Sequence, residues 1–219
     1  YIKSKGKIVI GFTLNAPMAL GSGDKTTGGF DTDLAKAVFA KISEKVGKTI
    51  DVEFKLIDWG KKESEMEAKT IDCVWNGMTI NDETKAGMSV SNAYCKNAQV
   101  VVVPKKDADK YQTVDSIKDL QFAVEAGSAG QEQAEEYGLN FIGAEAQADT
   151  LMEVSAGTSQ ASIIDLLMAG AMIGEGTDYA GLTYTVELNS EEYGVGFRKG
   201  SDAVDKINEF FKTAYADGS

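Results

Sequence analysis

Short apolar runs recur along this chain, and three of them stop on a polar group. Ile71–Trp75 leads into Asn76-Gly77-Met78-Thr79, Leu120–Val124 into Glu125-Ala126-Gly127-Ser128, and Ala161–Ile164 into Asp165. Runs of this length bounded by turn residues read as strands, and stretches of helical periodicity lie between them. Strands alternating with helices imply a largely parallel sheet. In an open sheet of that kind, ligands sit just beyond the carboxyl ends of the strands. The sequence therefore aims an amide, hydroxyls and two carboxylates at one crevice, which reads as a small-molecule site.

The elements follow two cycles. Lys7–Phe12 is an apolar strand. Asp31 can cap a helix through about Val46, with Leu34, Val38 and Ile42 on one face and Gly47 at its end. Ile50–Ile57 alternates as a half-buried strand, and Lys61–Lys69 is a charged helix. The valine-rich Gln99–Val103 has the composition of a strand buried on both faces. In the second cycle Leu120–Val124 is a strand. Ser128 opens a helix with Gln131 three residues on, in the manner of a capping box. Asn140–Ile142 and Ala161–Ile164 are strands with a helix near Asp149–Val154 between them, and Asp165–Ile173 is helical in composition. Leu182–Val186 and Tyr193–Phe197 are extended. Ser201 caps a last helix whose Val204, Ile207, Phe211 and Ala214 share a face.

Composition excludes several functions. The formal charge of -12, with Arg198 the sole arginine, leaves no basic stripe for nucleic acid. No apolar stretch is long enough to span a bilayer. With no histidine, Ser-His-Asp and Cys-His catalysis and the commonest zinc ligand are absent. Cys73 and Cys95 are too far apart for a CxxC motif and read as buried small hydrophobes, with a disulfide left open. No cofactor or metal is expected. Gly127-Ser-Ala-Gly130 does not meet the dinucleotide fingerprint. The chain starts at Tyr1 without a signal peptide, so it reads as cytosolic or as lacking its targeting segment.

Five segments in order resemble the extracellular solute-binding proteins of the polar amino-acid type, the receptors of ABC importers. They are Gly29-Phe-Asp-Thr-Asp-Leu-Ala-Lys-Ala-Val, Ile71-Asp-Cys-Val-Trp-Asn-Gly-Met-Thr-Ile, Gln99-Val-Val-Val-Val, Val124-Glu-Ala-Gly-Ser and Glu192-Tyr-Gly-Val-Gly-Phe-Arg-Lys-Gly-Ser. The resemblance implies an α/β fold, a two-lobed periplasmic-binding-protein-like clamp with two hinge strands. Residues 1–93 and 194–219 would form the first lobe, 98–190 the second, and 94–97 and 191–193 the hinge. A ligand would bind between the lobes and favour closure. It further implies an extracellular or periplasmic monomer, membrane-anchored as a lipoprotein, that delivers its ligand to a transporter permease.

The resemblance also assigns roles. Asn76-Gly77-Met78-Thr79 would hold a ligand's α-amino group through a backbone carbonyl and the threonine hydroxyl, and Asp165 would pair with that ammonium. N–H groups at Ser128 and Ala129 would bind a carboxylate. Trp59 would pack over the ligand, Glu125 would contact its side chain, and Asn15 completes the set. The family usually grips the carboxylate with an arginine five residues after the threonine. Here that position is Thr84. Two carboxylates without that arginine favour a ligand carrying positive charge, an amino acid or amine. Each candidate also has a plainer reading: Asp165 and Ser128 as helix caps, Trp59 as core, Glu125 as a surface residue. A dehydratase-like enzyme and a receptor sensor domain are the competing functions on this scaffold.

Overall fold

The computed structural model describes residues 1–217 as two compact units. Unit one holds Tyr1–Leu14, Met18–Cys95 and the chain from Glu192 onward, and unit two holds Asn15–Pro17 and Lys96–Glu191.

Unit one is built on a sheet in the order Asp51–Leu56, Lys7–Phe12, Cys73–Thr79, Glu191–Arg198, Met88–Val90. The first three strands are parallel and Glu191–Arg198 runs antiparallel to its two neighbours. Successive side chains of a strand face opposite sides. Cys73 and Trp75 accordingly join Ile8, Ile10 and Val195 in a core closed by Val38, Phe39 and Ile207, on helices Phe30–Val46 and Ala203–Asp217. Val74 and Met78 face the other way, into a cluster with Ile57, Trp59, Met66 and Met88. At the end of the sheet where Lys7–Phe12 begins, Asp72 is buried. It accepts from Lys5 Nζ at 2.8 Å, the Val9 amide at 2.8 Å and Arg198 Nη2 at 3.3 Å. Removing one partner of such a buried pair leaves an uncompensated charge.

Unit two has the sheet order Asn140–Ala144, Gln121–Glu125, Ala161–Asp165, Gln99–Pro104, Leu182–Glu187. The first three strands are parallel and the last two pair antiparallel. The valine run is buried on both faces. Val101 and Val103 pack with Phe122, Val124 and Ile163, and Val100 and Val102 with Leu151, Val154 and Ile164.

Two local expectations are revised. The strand beginning at Cys73 does not stop at Trp75. It runs through Thr79, because Met78 and Thr79 find backbone partners in Gly194 and Tyr193. Asp31 lies within the first turn of its helix, and the cap position belongs to Gly29, with φ 117°. A side chain is also excluded there by space, since a Cβ on Gly29 would sit 2.5 Å from the Met18 carbonyl oxygen. That carbonyl is held in place by the Asp31 amide at 3.0 Å. Gly29→Ala combines positive-φ strain with a backbone clash and is expected to cost about 2–4 kcal/mol. Urea unfolding should show a lower midpoint at unchanged slope. An unchanged midpoint would mean that the turn has room to rearrange.

Candidate functional site

In unit two the strand Ala161–Asp165 delivers Asp165 to the start of helix Leu166–Met172, yet its side chain makes no cap bond to that helix. The helix-cap reading of Asp165 is therefore not met. Both carboxylate oxygens are instead filled by side-chain amides. Oδ1 accepts from Asn97 Nδ2 at 2.8 Å and Gln99 Nε2 at 2.7 Å. Oδ2 accepts from Gln147 Nε2 at 2.8 Å and Asn15 Nδ2 at 3.1 Å. Gln147 Oε1 in turn accepts the Asp165 backbone N–H at 3.0 Å, so one amide holds both ends of the residue.

A second carboxylate shares these donors. Glu191 Oε1 accepts from Asn97 Nδ2 at 2.6 Å and Gln99 Nε2 at 2.8 Å, and its Oε2 from Asn189 Nδ2 at 3.1 Å. Asp165 and Glu191 are 3% and 7% exposed, and no lysine or arginine pairs with either among the described residues. Burial raises the Glu191 carboxyl above its ordinary range, and the neighbouring Asp165 charge adds to the rise. The buried oxygens Asn15 Oδ1 and Gln99 Oε1 accept no hydrogen bond. The cluster therefore holds a surplus of acceptors, which suits a ligand that brings N–H donors and positive charge.

Around it lie the other candidates of unit two. Glu125 ends the strand Gln121–Glu125 and is buried rather than on the surface. Ser128 caps the helix opened by Ala129, accepting from the Gln131 amide at 3.3 Å. The Gln131 side chain bonds the Gly127 amide at 2.9 Å, so the reciprocal half of the capping box falls one residue early. This helix start presses on the Asp165 cluster. A Cβ at Gly130 would lie 3.2 Å from Gln99 Oε1 and 3.3 Å from Ser128 Oγ.

The candidates of unit one form a separate group. Asn76 Oδ1 accepts from the Thr13 amide and hydroxyl, both at 2.8 Å, while its buried Nδ2 donates to nothing. The Gly77 amide donates to Asp31 at 2.7 Å, and the Tyr94 hydroxyl donates to the same oxygen at 2.9 Å. Burial beside that carboxylate pushes the Tyr94 hydroxyl well above its usual value. Met78 is core. Thr79 offers its carbonyl to the Thr84 hydroxyl at 3.0 Å.

Two expectations meet a different local setting. Thr84 is buried in a capping box, its amide donating to Asn81 Oδ1 at 2.8 Å and its Oγ1 accepting the Asn81 amide at 3.0 Å. Trp59 is buried among Ile57, Met66 and Met88, with the Lys62 ammonium 5.1 Å from a ring centroid. Thr84 is held by cap hydrogen bonds and Trp59 by packing, both within unit one. Sequence reading passed over Asn97, Gln99, Gln147, Asn189 and Glu191. A signal did exist at Gln99, since a polar residue opening a doubly buried valine strand requires an internal partner.

The chain matches the model of the bacterial extracellular solute-binding proteins, family 3, over residues 8–219. The chain belongs to this family. A curated member, the arginine-binding extracellular protein ArtP of Bacillus subtilis, is 29% identical over 95% of this chain and 80% of its own length. A crystal structure of an ABC uptake transporter substrate binding protein from Streptococcus pneumoniae, with bound histidine, superposes with a TM-score of 0.83 at 32% identity, covering 99% of this chain and 90% of that one. The ancestral amino acid-binding protein AncCDT-1, a precursor of cyclohexadienyl dehydratase, gives a TM-score of 0.84 at 26% identity, over 99% of this chain and 93% of its own. The architecture is the type II periplasmic-binding-protein fold expected from the sequence motifs.

The Glu191 environment predicts a pH signature. Its carboxyl is raised from the ordinary 4.5, so the folded state favours the proton. The associated stability is complete below that ordinary value and is lost as pH rises through the folded-state value. Glu191→Gln removes the titration at the cost of the Asn189 bond. Thermal melts from about pH 4 to about pH 8 should show the variant gaining on the parent as pH rises. A constant difference across the range would place the cause elsewhere.

Proposed function

We propose that this chain is the receptor of an ABC importer and captures a small ligand bearing a positive charge, an amino acid or an amine. One observation carries the reading: Asp165 and Glu191 are two buried carboxylates held by neutral amides, beside amide oxygens that accept nothing. Isolated buried charge is costly, and a cation that arrives with the ligand compensates it. Among the donors the Asn15 amide, at 3.1 Å, is the longest on Asp165 and the first to yield to an ammonium. Its carbonyl oxygen then serves as a further acceptor for the same group.

Relatives named for arginine, glutamine, histidine and cystine support an amino acid as the class. In this proposal the polar contact set also includes Thr79, Asn76 and the Gly77-Met78 backbone. Ser128 and Ala129 offer helix-start N–H groups to a carboxylate, and Glu125 meets the ligand's side chain. Trp59 supports the site from beneath through its packing. Thr84 contributes by shaping the turn after Thr79 rather than by gripping a carboxylate. The missing arginine fork shifts the balance of recognition towards the ligand's cationic group. Binding without catalysis, a monomeric state, attachment to the outer face of the membrane and delivery to a permease complete the proposal. The relatives cited are named as binding proteins, one of them also as a precursor of cyclohexadienyl dehydratase, and Glu125 is the residue that the competing dehydratase reading would use.

The test is a thermal-shift screen of arginine, histidine, glutamine and cystine, each beside its deaminated analogue. A ligand at 100 times its dissociation constant adds about 2.7 kcal/mol. The amino acids that bind should raise the melting temperature, and their deaminated partners should lose that effect. Asp165→Asn should weaken the hits by about 1.5–3 kcal/mol in calorimetric titration. Equal responses to both members of each pair would overturn the assignment.

A further inference from the structure

Unit one carries a groove at the end of its sheet where Lys7–Phe12 begins and Glu191–Arg198 ends, the end opposite Thr79. Two adjoining cavities of about 620 and 680 Å³ form it, sharing Lys3, Ile42, Val46 and Lys206. The floor is apolar, with Ile42, Val46 and Phe210 along the seam between helices Phe30–Val46 and Ala203–Asp217. The rim is cationic.

That rim runs against the rest of the molecule. The chain carries a formal charge of -12, yet cations outnumber acids among the residues lining the groove. Three acids line it: Asp72 is buried on Lys5 and Arg198, Glu209 pairs with Lys45 at 2.6 Å, and Asp202 is exposed. Among the described residues Lys3 and Lys69 make no ion pair, and Lys206 acts on Glu209 without closing to ion-pair distance. Lys69 is also held at φ 61°, a conformation in which a glycine would rest without strain. Ammonium groups in excess of carboxylates beside an apolar seam complement an acid with an apolar tail. The volumes are those of small-molecule sites. The apolar residues follow the line between two helices, which suits a single extended chain better than a flat leaflet.

We propose that this groove binds a single-chain anionic amphiphile, a long-chain carboxylate, with its tail along Ile42, Val46 and Phe210 and its head between Lys3, Lys69 and Lys206. This site is independent of the amino-acid reading. It lies wholly in unit one and uses none of the residues assigned to that ligand.

The experiment is calorimetric titration of the chain with laurate, dodecyltrimethylammonium and dodecyl maltoside, each below its micelle-forming concentration. Laurate should bind one-to-one and the cationic amphiphile at least about tenfold more weakly. The exposed pair Lys3→Glu and Lys206→Glu should lower laurate affinity by about tenfold or more and leave the melting temperature of the free protein unchanged. Saturating amino acid should not displace laurate, which separates failure here from failure of the transport reading. Equal binding of all three tails, or laurate binding indifferent to the charge reversals, would overturn the proposal. So would sedimentation with phosphatidylglycerol vesicles in the absence of laurate binding, which would make this face a membrane contact instead.

Discussion

The buried pair of carboxylates in unit two sets the terms for everything around it. Asp165 and Glu191 are drawn out of water without a cation, so their charge is spread over amide hydrogens. Those hydrogens come from positions 15, 97, 99, 147 and 189, so separate stretches of chain converge on one point. Each amide is fixed by the carboxylate it serves, and each carboxylate is tolerable only while the amides are in place. Networks of this kind in a low-dielectric interior are strong when complete and costly when broken. Unit one solves the same problem differently. Its buried Asp72 is matched by Lys5 and Arg198, so its charge is already answered within the protein. Asp72 carries its countercharge within unit one, whereas Asp165 and Glu191 are held by neutral amides alone among the described residues.

Much of this architecture can be read from residue order, and the reasons are local. The valine run 99–103, the helix ending at Gly47 and the Ser128 cap each carry a signature that the surrounding chain does not override. Five motifs in sequence also pointed to the family to which the chain belongs. Legibility fails where a residue's role depends on a distant partner. Asn76 to Thr79 continue a strand because residues 193 and 194 supply the hydrogen bonds, and nothing near Trp75 announces that. Asp31 looks like a cap, but its oxygen serves Gly77 and Tyr94 instead. Asp72, in the middle of an apolar run, was silent until Arg198 was brought beside it.

The candidate site shows the same divide. Asp165 was visible because it ends an apolar run. The amides that hold it were not, since asparagine and glutamine are common on surfaces and only their burial gives them weight. Trp59 illustrates the reverse. Its ligand role was read from the family resemblance, and its packing with Ile57, Met66 and Met88 emerges only from the fold.

The Thr84–Asn81 cap has a consequence for how this receptor can change. The turn after Thr79 is closed by a hydroxyl that accepts the Asn81 amide and has the Asn81 side-chain oxygen and the Thr79 carbonyl as alternative acceptors for its one proton. A long charged side chain at 84 would open that knot before it could reach any ligand. The Thr84 amide keeps its bond to Asn81 Oδ1 whichever such side chain stands there, so a substitution at 84 loosens this turn from the hydroxyl side while the backbone half of the cap persists.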